Sequence, residues 1–282
     1  MGMSHSGDDD TIIQGAVPAE QVGDYDVASP ESRTLVTVVG TILGALVLVG
    51  VFLLVSLAMR DTRVESQVID LDGSAQVVLQ ATNADVRLVP GDGEDIRVRA
   101  EVDESLLSTD FELRRSGDAI AVAADCITWL SPGCGAEVTV EVPDGVPVEV
   151  TTTSGRAEVR DLETDVLVRT GSGDVVVGGK LATVSVTTGS GSVSSRDLDA
   201  VELKVVTGSG DVDAVLVEQP YALAVKTDSG DVEATLPDGE RTYQVKTSSD
   251  DGDVTSDLED DPDGEGLVSL QSDSGDVTLA VR

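Results

Sequence analysis

The sequence predicts an all-β protein whose C-terminal half is a single-chain β-solenoid. The pattern apolar-x-apolar-x-Thr-x-Ser-Gly-Asp-Val recurs in seven copies between residues 148 and 277, with 18 to 23 residues between successive motif glycines. A period near 20 residues is typical of solenoids. Val and Thr dominate each copy, and apolar residues alternate with polar ones, which indicates β-strands. We therefore expect about seven stacked rungs over residues 146–282.

Each copy is predicted to turn a corner at its Ser-Gly-Asp. In the copy at 166–175, Val166, Val168 and Thr170 face one way with Ser172 next on that side, but after Gly173 the apolar positions change parity. A glycine with a positive φ can produce that change within two residues. The predicted corner glycines are Gly173, Gly191, Gly210, Gly230, Gly252 and Gly275.

The chain before the repeats begins with an acidic tail over residues 1–33. This segment holds seven acidic residues and one Arg, with little hydrophobic periodicity. Such a composition predicts a disordered tail. A docking peptide is the alternative interpretation.

Residues 34–59 contain 26 residues without a charge. As a helix this run is about 39 Å long, enough to cross a bilayer with some tilt, and it predicts one transmembrane helix. A cleaved signal peptide is the alternative, but its apolar core is shorter and follows a basic start. Gly40 and Gly44 form a GxxxG pattern, which either packs two helices together or reflects ordinary glycine usage in membrane helices.

Residues 60–145 are interpreted as a degenerate β region that caps the solenoid. Residues 81–100 are interpreted as one degenerate rung followed by a turn and a strand. Residues 111–124 are interpreted as a hairpin. Cys126 and Cys134 are the only cysteines, and their even number and short spacing favour a disulfide in an oxidising compartment. Two unpaired thiols are the alternative.

The composition excludes several classes of function. The net charge of -35 argues against binding to nucleic acid or to an anionic membrane surface. The single histidine excludes a His-based catalytic triad. The Gly-rich runs lie between strands, so they are not phosphate-binding loops. No pair of carboxylates stands out as catalytic, and we expect no enzymatic activity.

Five motif acids are the candidate binding residues: Asp174, Asp211, Asp231, Asp253 and Asp276. Stacked rungs would bring these carboxylates close enough to repel one another. Either corner N–H groups donate hydrogen bonds to them, or they bind divalent cations such as calcium weakly. Calcium β-rolls place one residue between the last Gly and the Asp, whereas Gly173 and Asp174 are adjacent. We expect no other cofactor.

The apolar helix, the Cys-bracketed loop, the lead-in EVTVEVPDGVPVEV and the repeated TGSGDV together resemble the bacterial and archaeal "putative adhesin" family of domains of unknown function. The resemblance covers residues 64–282. It implies an extracytoplasmic β-solenoid tethered to the membrane, without established catalysis, and some relatives are associated with envelope stress. Arg156 and Ser192 replace the motif Asp in two copies, and Asp250 and Asp251 are inserted in another.

The expected function is a non-enzymatic, adhesin-like scaffold of the cell envelope, anchored by a single membrane span. The alternative is an envelope-stress sensor or regulator that signals through its cytoplasmic tail. The cysteine pair and the acidic β domain favour a C-terminal domain outside the membrane. The basic residues that flank the apolar run slightly favour a cytoplasmic C-terminal domain instead. The acidic surface favours a cationic ligand or protein partner.

Overall fold

A computed structural model of the chain describes residues 30–58, 61–69, 76–104, 110–116, 119–125 and 135–282. The predicted acidic tail lies outside the described residues up to residue 29, and so do Cys126 and Cys134. Helix α1 (Pro30–Ala58) begins four residues before the predicted apolar segment. Proline is favoured in the first turn of a helix, where its missing N–H group costs nothing.

The side chains described in α1 are those of residues 38–52 and 54. Among the described residues, no helix is long and apolar enough to cross a membrane. The predicted span over residues 34–59 is therefore not confirmed, and the packing of two helices at Gly40 and Gly44 stays a prediction.

All other described elements are strands of one 19-stranded sheet. They are β1 (Asp61–Ile69), β2 (Val77–Thr82), β3 (Asp85–Pro90), β4 (Ile96–Glu104), β5 (Asp110–Ser116), β6 (Ala119–Asp125), β7 (Gly135–Val142), β8 (Val148–Thr152), β9 (Ala157–Arg160), β10 (Val166–Thr170), β11 (Val175–Thr188), β12 (Val193–Ser209), β13 (Val212–Val215), β14 (Ala222–Ser229), β15 (Val232–Leu236), β16 (Tyr243–Asp251), β17 (Val254–Ser256), β18 (Gly266–Ser274) and β19 (Val277–Val281).

The strands form two parallel stacks joined by corners, and a rung is one strand of each stack with the corner between them. In the rung made by β10 and the start of β11, Val166, Val168 and Thr170 are buried before the corner. Val175 and Val177 are buried after it. This parity change confirms the predicted solenoid pattern, and every rung contributes Val or Leu to one continuous core. Ser172, expected on the buried side, is exposed, and Gly173 takes that place.

The rungs are not stacked in chain order at the C-terminal end. Strand β14 pairs with β18, and β18 pairs on its other side with β16. Likewise β19 lies between β15 and β17. The last copy of the repeat is therefore inserted between the fifth and sixth copies. The C-terminal strand β19 is therefore internal, and the outer rung is formed by β16 and β17.

The N-terminal end has the same kind of insertion. The rung β2–β3 pairs on one side with β8–β9 and on the other with β6 and β7. Strand β5 then pairs antiparallel with β6, as the predicted hairpin, while β4 covers β7 and β1 covers β4. Residues 60–145, predicted as a cap, thus contribute two further rungs to the stack as well as the antiparallel strands that close it.

A column of glycines explains why the corners can stack. A Cβ atom on Gly173 would lie closer than 3.0 Å to the carbonyl oxygen of Gly155, and a Cβ on Gly191 would meet the carbonyl of Gly173 in the same way. The column continues, in spatial order, through Gly210, Gly230, Gly275 and Gly252. The predicted positive φ occurs in this column only at Gly230 and Gly275. Elsewhere in the column, glycine is required for space.

A clasp between Pro220 and Tyr243 stabilises the inserted C-terminal rung. The buried Tyr243 hydroxyl of β16 donates a hydrogen bond to the Pro220 carbonyl at 2.9 Å. The Tyr243 ring lies against the first residue of β18, Gly266. A Cβ atom on Gly266 would lie closer than 3.0 Å to the ring. The Arg241 guanidinium also stacks on the Tyr221 ring, 3.7 Å from its centroid. Gly266 thus makes room for the contact between the flanking rungs.

The glycine column predicts a strong effect of a single methyl group. We expect Gly191→Ala to lower the free energy of unfolding by about 1–3 kcal/mol or more, because the new Cβ overlaps the Gly173 carbonyl. Gly93→Ala is the matched control, because a Cβ there meets nothing closer than 3.5 Å. Urea unfolding followed by circular dichroism compares the two variants. Equal midpoints for both would contradict the steric role of the column.

Candidate interaction surface

Hydroxyl groups satisfy the backbone inside each corner. The Thr170 Oγ1 atom accepts a hydrogen bond from the Gly173 N–H at 2.9 Å, and Thr188 does the same for Gly191 at 3.0 Å. Further along the stack the direction changes, and the Ser272 hydroxyl donates to the Gly230 carbonyl at 2.9 Å. The repeated Thr or Ser before the glycine therefore pairs buried polar backbone groups, as burial requires.

The motif acids line the outside of the same corner as an acidic ladder, defined here as Asp85, Asp174, Asp211, Asp231, Asp276 and Asp253. Asp231 Oδ1 accepts a hydrogen bond from the Asp276 N–H at 2.9 Å, and Asp276 Oδ1 accepts one from the Asp253 N–H at 2.9 Å. Asp211 accepts from the Asp231 N–H at 3.0 Å. Each carboxylate of the ladder is exposed. Except at Asp253, which ends the series, each accepts a hydrogen bond from the same position of the next rung.

The ladder is interrupted where the sequence departs from the motif. Asp85 accepts from the Arg156 N–H at 2.8 Å, and Asp174 accepts from the Ser192 N–H at 3.1 Å. Neither Arg156 nor Ser192 carries a carboxylate with which to continue the series. The longest uninterrupted run therefore has four members, in the spatial order Asp211, Asp231, Asp276 and Asp253.

The structure brings the five predicted candidate acids to one edge of the stack, together with the six predicted corner glycines. Among the described residues, no group of three or more His, Cys, Asp or Glu side chains is placed to hold a metal ion. The hydrogen bonds from neighbouring N–H groups are the contacts that these carboxylates make. Weak divalent cation binding stays a prediction.

A charged cluster that sequence reasoning missed lies near the N-terminal end of the ladder. Arg87 contacts Glu137 at 3.4 Å and Glu158 at 3.3 Å, and Arg160 contacts Glu158 at 2.5 Å. Arg87, Glu137 and Glu158 line a cavity of about 70 Å³ together with Arg156. The hydrogen bond from Arg160 holds the pKa of Glu158 below its usual range, and nearby Arg87 acts in the same direction. Arg87 and Glu158 occupy equivalent positions of neighbouring rungs, whereas Glu137 and Arg160 each lie two residues away from that level.

A wider depression of about 290 Å³ lies near the starts of several rungs. Val148, Val166 and Leu167 contribute apolar surface to it, and Glu149 and Asp165 stand beside them. The repeat pattern did not predict this depression, because its lining combines the first two positions of two copies with residues that precede the copies.

Comparison with family models matches residues 75–282 to the family described as Toastrack DUF4097. The chain belongs to the Toastrack DUF4097 family. This match confirms the family resemblance that the TGSGDV repeats and their lead-in indicated. It also places the solenoid within the Toastrack domain.

Three solved structures similar to the Toastrack chain are distant from it in sequence. A putative cell adhesion protein from Clostridium sporogenes is 8% identical with a TM-score of 0.41, covering 79% of this chain and 100% of that one. A putative adhesin from Parabacteroides merdae is 11% identical with a TM-score of 0.43, covering 77% and 96%. A putative adhesin from Bacteroides fragilis is 10% identical with a TM-score of 0.42, covering 78% and 97%. No curated protein matches the chain.

The ion pairs of Glu158 predict a pH-dependent contribution to the stability of the Toastrack domain. The side chain is 15% exposed, and we expect Glu158→Gln to lower the free energy of unfolding by about 1 kcal/mol at pH 7. Because the folded-state pKa is lowered, the wild-type advantage exists above the ordinary carboxyl pKa. It is lost as the pH falls through the lowered folded-state pKa of Glu158.

Glu233→Gln is the control, because Glu233 has the equivalent position in its rung, is exposed and forms no ion pair. Unfolding free energies of both variants are measured from pH 7 to pH 3. A difference between wild type and Glu158→Gln that stays constant over this range would contradict the assigned cause.

Proposed function

We propose that this Toastrack protein is a non-enzymatic, adhesin-like interaction protein that binds a cationic partner along its acidic ladder. The main support for the proposal is that no basic side chain forms an ion pair with an acidic one where the uninterrupted run of the ladder is longest. Residues 181–282, all of which the structure describes, hold 22 acidic and six basic residues. No ion pair forms within this range.

The described ion pairs all involve residues between Arg63 and Lys180, and the four-membered run from Asp211 to Asp253 lies beyond them. A row of exposed carboxylates without counter-charges creates a negative potential that attracts cations. The regular spacing of the rungs, about 4.8 Å, would present these charges to an extended polycation at even intervals.

The regularity of the ladder also supports a binding role over catalysis. Asp211, Asp231 and Asp276 make the same hydrogen bond to the next rung. Acid–base catalysis requires neighbouring groups whose environments push their pKa values apart. Equivalent carboxylates in equivalent environments provide a repeated charge instead.

A lysine homopolymer tests this proposal. We expect the triple variant Asp211→Asn, Asp231→Asn and Asp276→Asn to weaken binding of a ten-residue polylysine about tenfold or more, and added salt to weaken wild-type binding. An Asn Oδ1 atom still accepts the neighbouring N–H, so the fold is retained.

The matched control removes the same charge from the same rungs through Asp213→Asn, Glu233→Gln and Asp273→Asn, which are exposed residues outside the ladder. Isothermal titration calorimetry compares the two triple variants. An equal loss of affinity in both would mean that net charge alone attracts the polymer, and the ladder would not be the binding site.

The proposed place of this protein is the cell membrane, with α1 as the anchor and the Toastrack domain outside. The support is the uncharged run over residues 34–59 and the exposure of large apolar side chains in the described part of the helix. Leu46, Leu48 and Leu54 are 62%, 72% and 68% exposed. Contact with hydrocarbon would remove this apolar surface from water, which is favourable by about 25 cal/mol per Å².

The orientation is tested with an epitope tag after Arg282. Intact cells are treated with an external protease, and lysed cells serve as the control. We expect loss of the tag from intact cells. Survival of the tag in intact cells with loss after lysis would place the Toastrack domain in the cytoplasm and would overturn the envelope role, while the polylysine result would be unaffected.

A further inference from the structure

The outer rung leaves one strand edge only partly paired. Strand β16 pairs with β18 through the backbone groups of its even-numbered residues, as the bond from the Gly266 N–H to the Thr242 carbonyl shows. From residue 243 to residue 249, the odd-numbered residues turn their N–H and C=O groups to the other side, because backbone direction alternates along a strand. The Tyr243 carbonyl, for example, accepts from the Asp261 N–H at 2.9 Å on that side.

The loop after β17 covers only the beginning of this edge. Asp261 binds Tyr243, and Asp260 Oδ1 accepts from the Val245 N–H at 2.8 Å. Beyond this point no described residue bonds to the outward N–H and C=O groups of Thr247 and Ser249. We define these two residues with Ser248 between them as the open edge.

The open edge lacks two of the devices that block the pairing of edge strands, a proline and a β-bulge. Residues 243–251 contain no proline, and the register with β18 shows no bulge. Exposed edges of this kind pair with another strand unless they are blocked. At the opposite end of the stack, antiparallel strands β1, β4 and β5 cover the corresponding rung.

We propose that the open edge is the site where a second copy of this chain adds its own β16 strand, antiparallel and about a two-fold axis at Ser248. In this register Thr247 of each copy exchanges both backbone hydrogen bonds with Ser249 of the other. This two-fold register uses the backbone N–H and C=O groups of Thr247 and Ser249 alone. Registers centred on residue 245, 246 or 247 would require the Val245 N–H, which already donates to Asp260. A register centred on residue 249 would require the Asp251 carbonyl, which already accepts from the Gly275 N–H.

Charge complementarity independently favours the same register. With the axis at Ser248, Lys246 of each copy lies directly opposite Asp250 of the other, and both side chains are exposed. Lys246 forms no ion pair within its own chain, and directly opposed opposite charges stabilise strand pairs. An axis at residue 246 would instead place Lys246 opposite Lys246. The strand is therefore complementary to itself, which identifies a second copy as the occupant.

Cysteine cross-linking tests the register in the full chain in detergent. Opposed residues of a non-hydrogen-bonded antiparallel pair have Cα atoms about 4.5 Å apart, within the range of a disulfide. We expect the Ser248→Cys variant to form dimers linked through residue 248. Gln244→Cys is the control, because it is exposed on the same strand but lies opposite residue 252 of the partner. Salt at about 0.5 M reduces the general repulsion between two acidic chains.

Charge reversal and proline complete the test. In the Ser248→Cys background, we expect Lys246→Asp to reduce the cross-linked fraction about fivefold, and Lys246→Asp with Asp250→Lys to restore it. Thr247→Pro removes one outward N–H without touching the bonds to β18, and we expect it to abolish cross-linking while circular dichroism is unchanged. Peptide mapping identifies the linked residues against the background of Cys126 and Cys134.

The proposal is supported by linkage between two copies at residue 248 together with rescue by the double charge reversal. It is overturned if the Ser248→Cys and Gln244→Cys variants cross-link equally. It is also overturned if residue 248 links to another position of the chain or to a different protein, since either result identifies another occupant of the edge. These outcomes are independent of polylysine binding and of membrane orientation.

Discussion

The close approach of neighbouring corners is the constraint on which the rest of this structure depends. Parallel strands pair at a spacing of about 4.8 Å, and a rung that turns sharply carries its own backbone into the turn of the next rung. At Gly173 and Gly191 the neighbouring carbonyl occupies the place of a side chain. Once the corner is closed in this way, the preceding Thr hydroxyl pairs with buried backbone groups inside it, and the following Asp is left outside within reach of the next N–H group.

The insertions at both ends follow from what each end of a stack has to bury. A terminal rung exposes one side of its core residues, as the 43% exposure of Val254 in β17 illustrates. In the inserted rung, by contrast, Val268, Leu270, Val277 and Leu279 are completely buried. The more apolar of the last two copies, β18–β19, thus occupies the internal position of the stack. The more polar copy with its extra acidic residues, β16–β17, forms the outer rung. Tyr243 joins the two rungs that flank the inserted one through its hydrogen bond to Pro220, and burial raises the pKa of its hydroxyl.

Much of the fold was predictable because repeated local chemistry specifies it. The alternation of apolar residues predicted the buried positions, and the Ser-Gly-Asp spacing predicted the corners. The order of the rungs was not predictable from the same pattern, because all copies present nearly the same edge and the choice depends on single residues such as Gly266. For the site, the row of carboxylates was predictable from the repeat. The cluster around Glu158 was missed because the ion pairs of Arg87 with Glu137 and Glu158 join positions that only the stacking brings together.

The acidic ladder is tolerated because each carboxylate that accepts an N–H from the next rung gains more from this bond than it loses by repulsion from its neighbours. Two exposed charges about 4.8 Å apart repel by about 1 kcal/mol in water. A hydrogen bond from a backbone N–H to a charged acceptor contributes about 1.5–3 kcal/mol. The balance is least favourable in the run from Asp211 to Asp253, where interior members face a carboxylate on both sides and no basic side chain forms an ion pair. Asp253 lies at the outer end, with no further N–H to accept, so this part of the ladder gains most from a cation bound outside it.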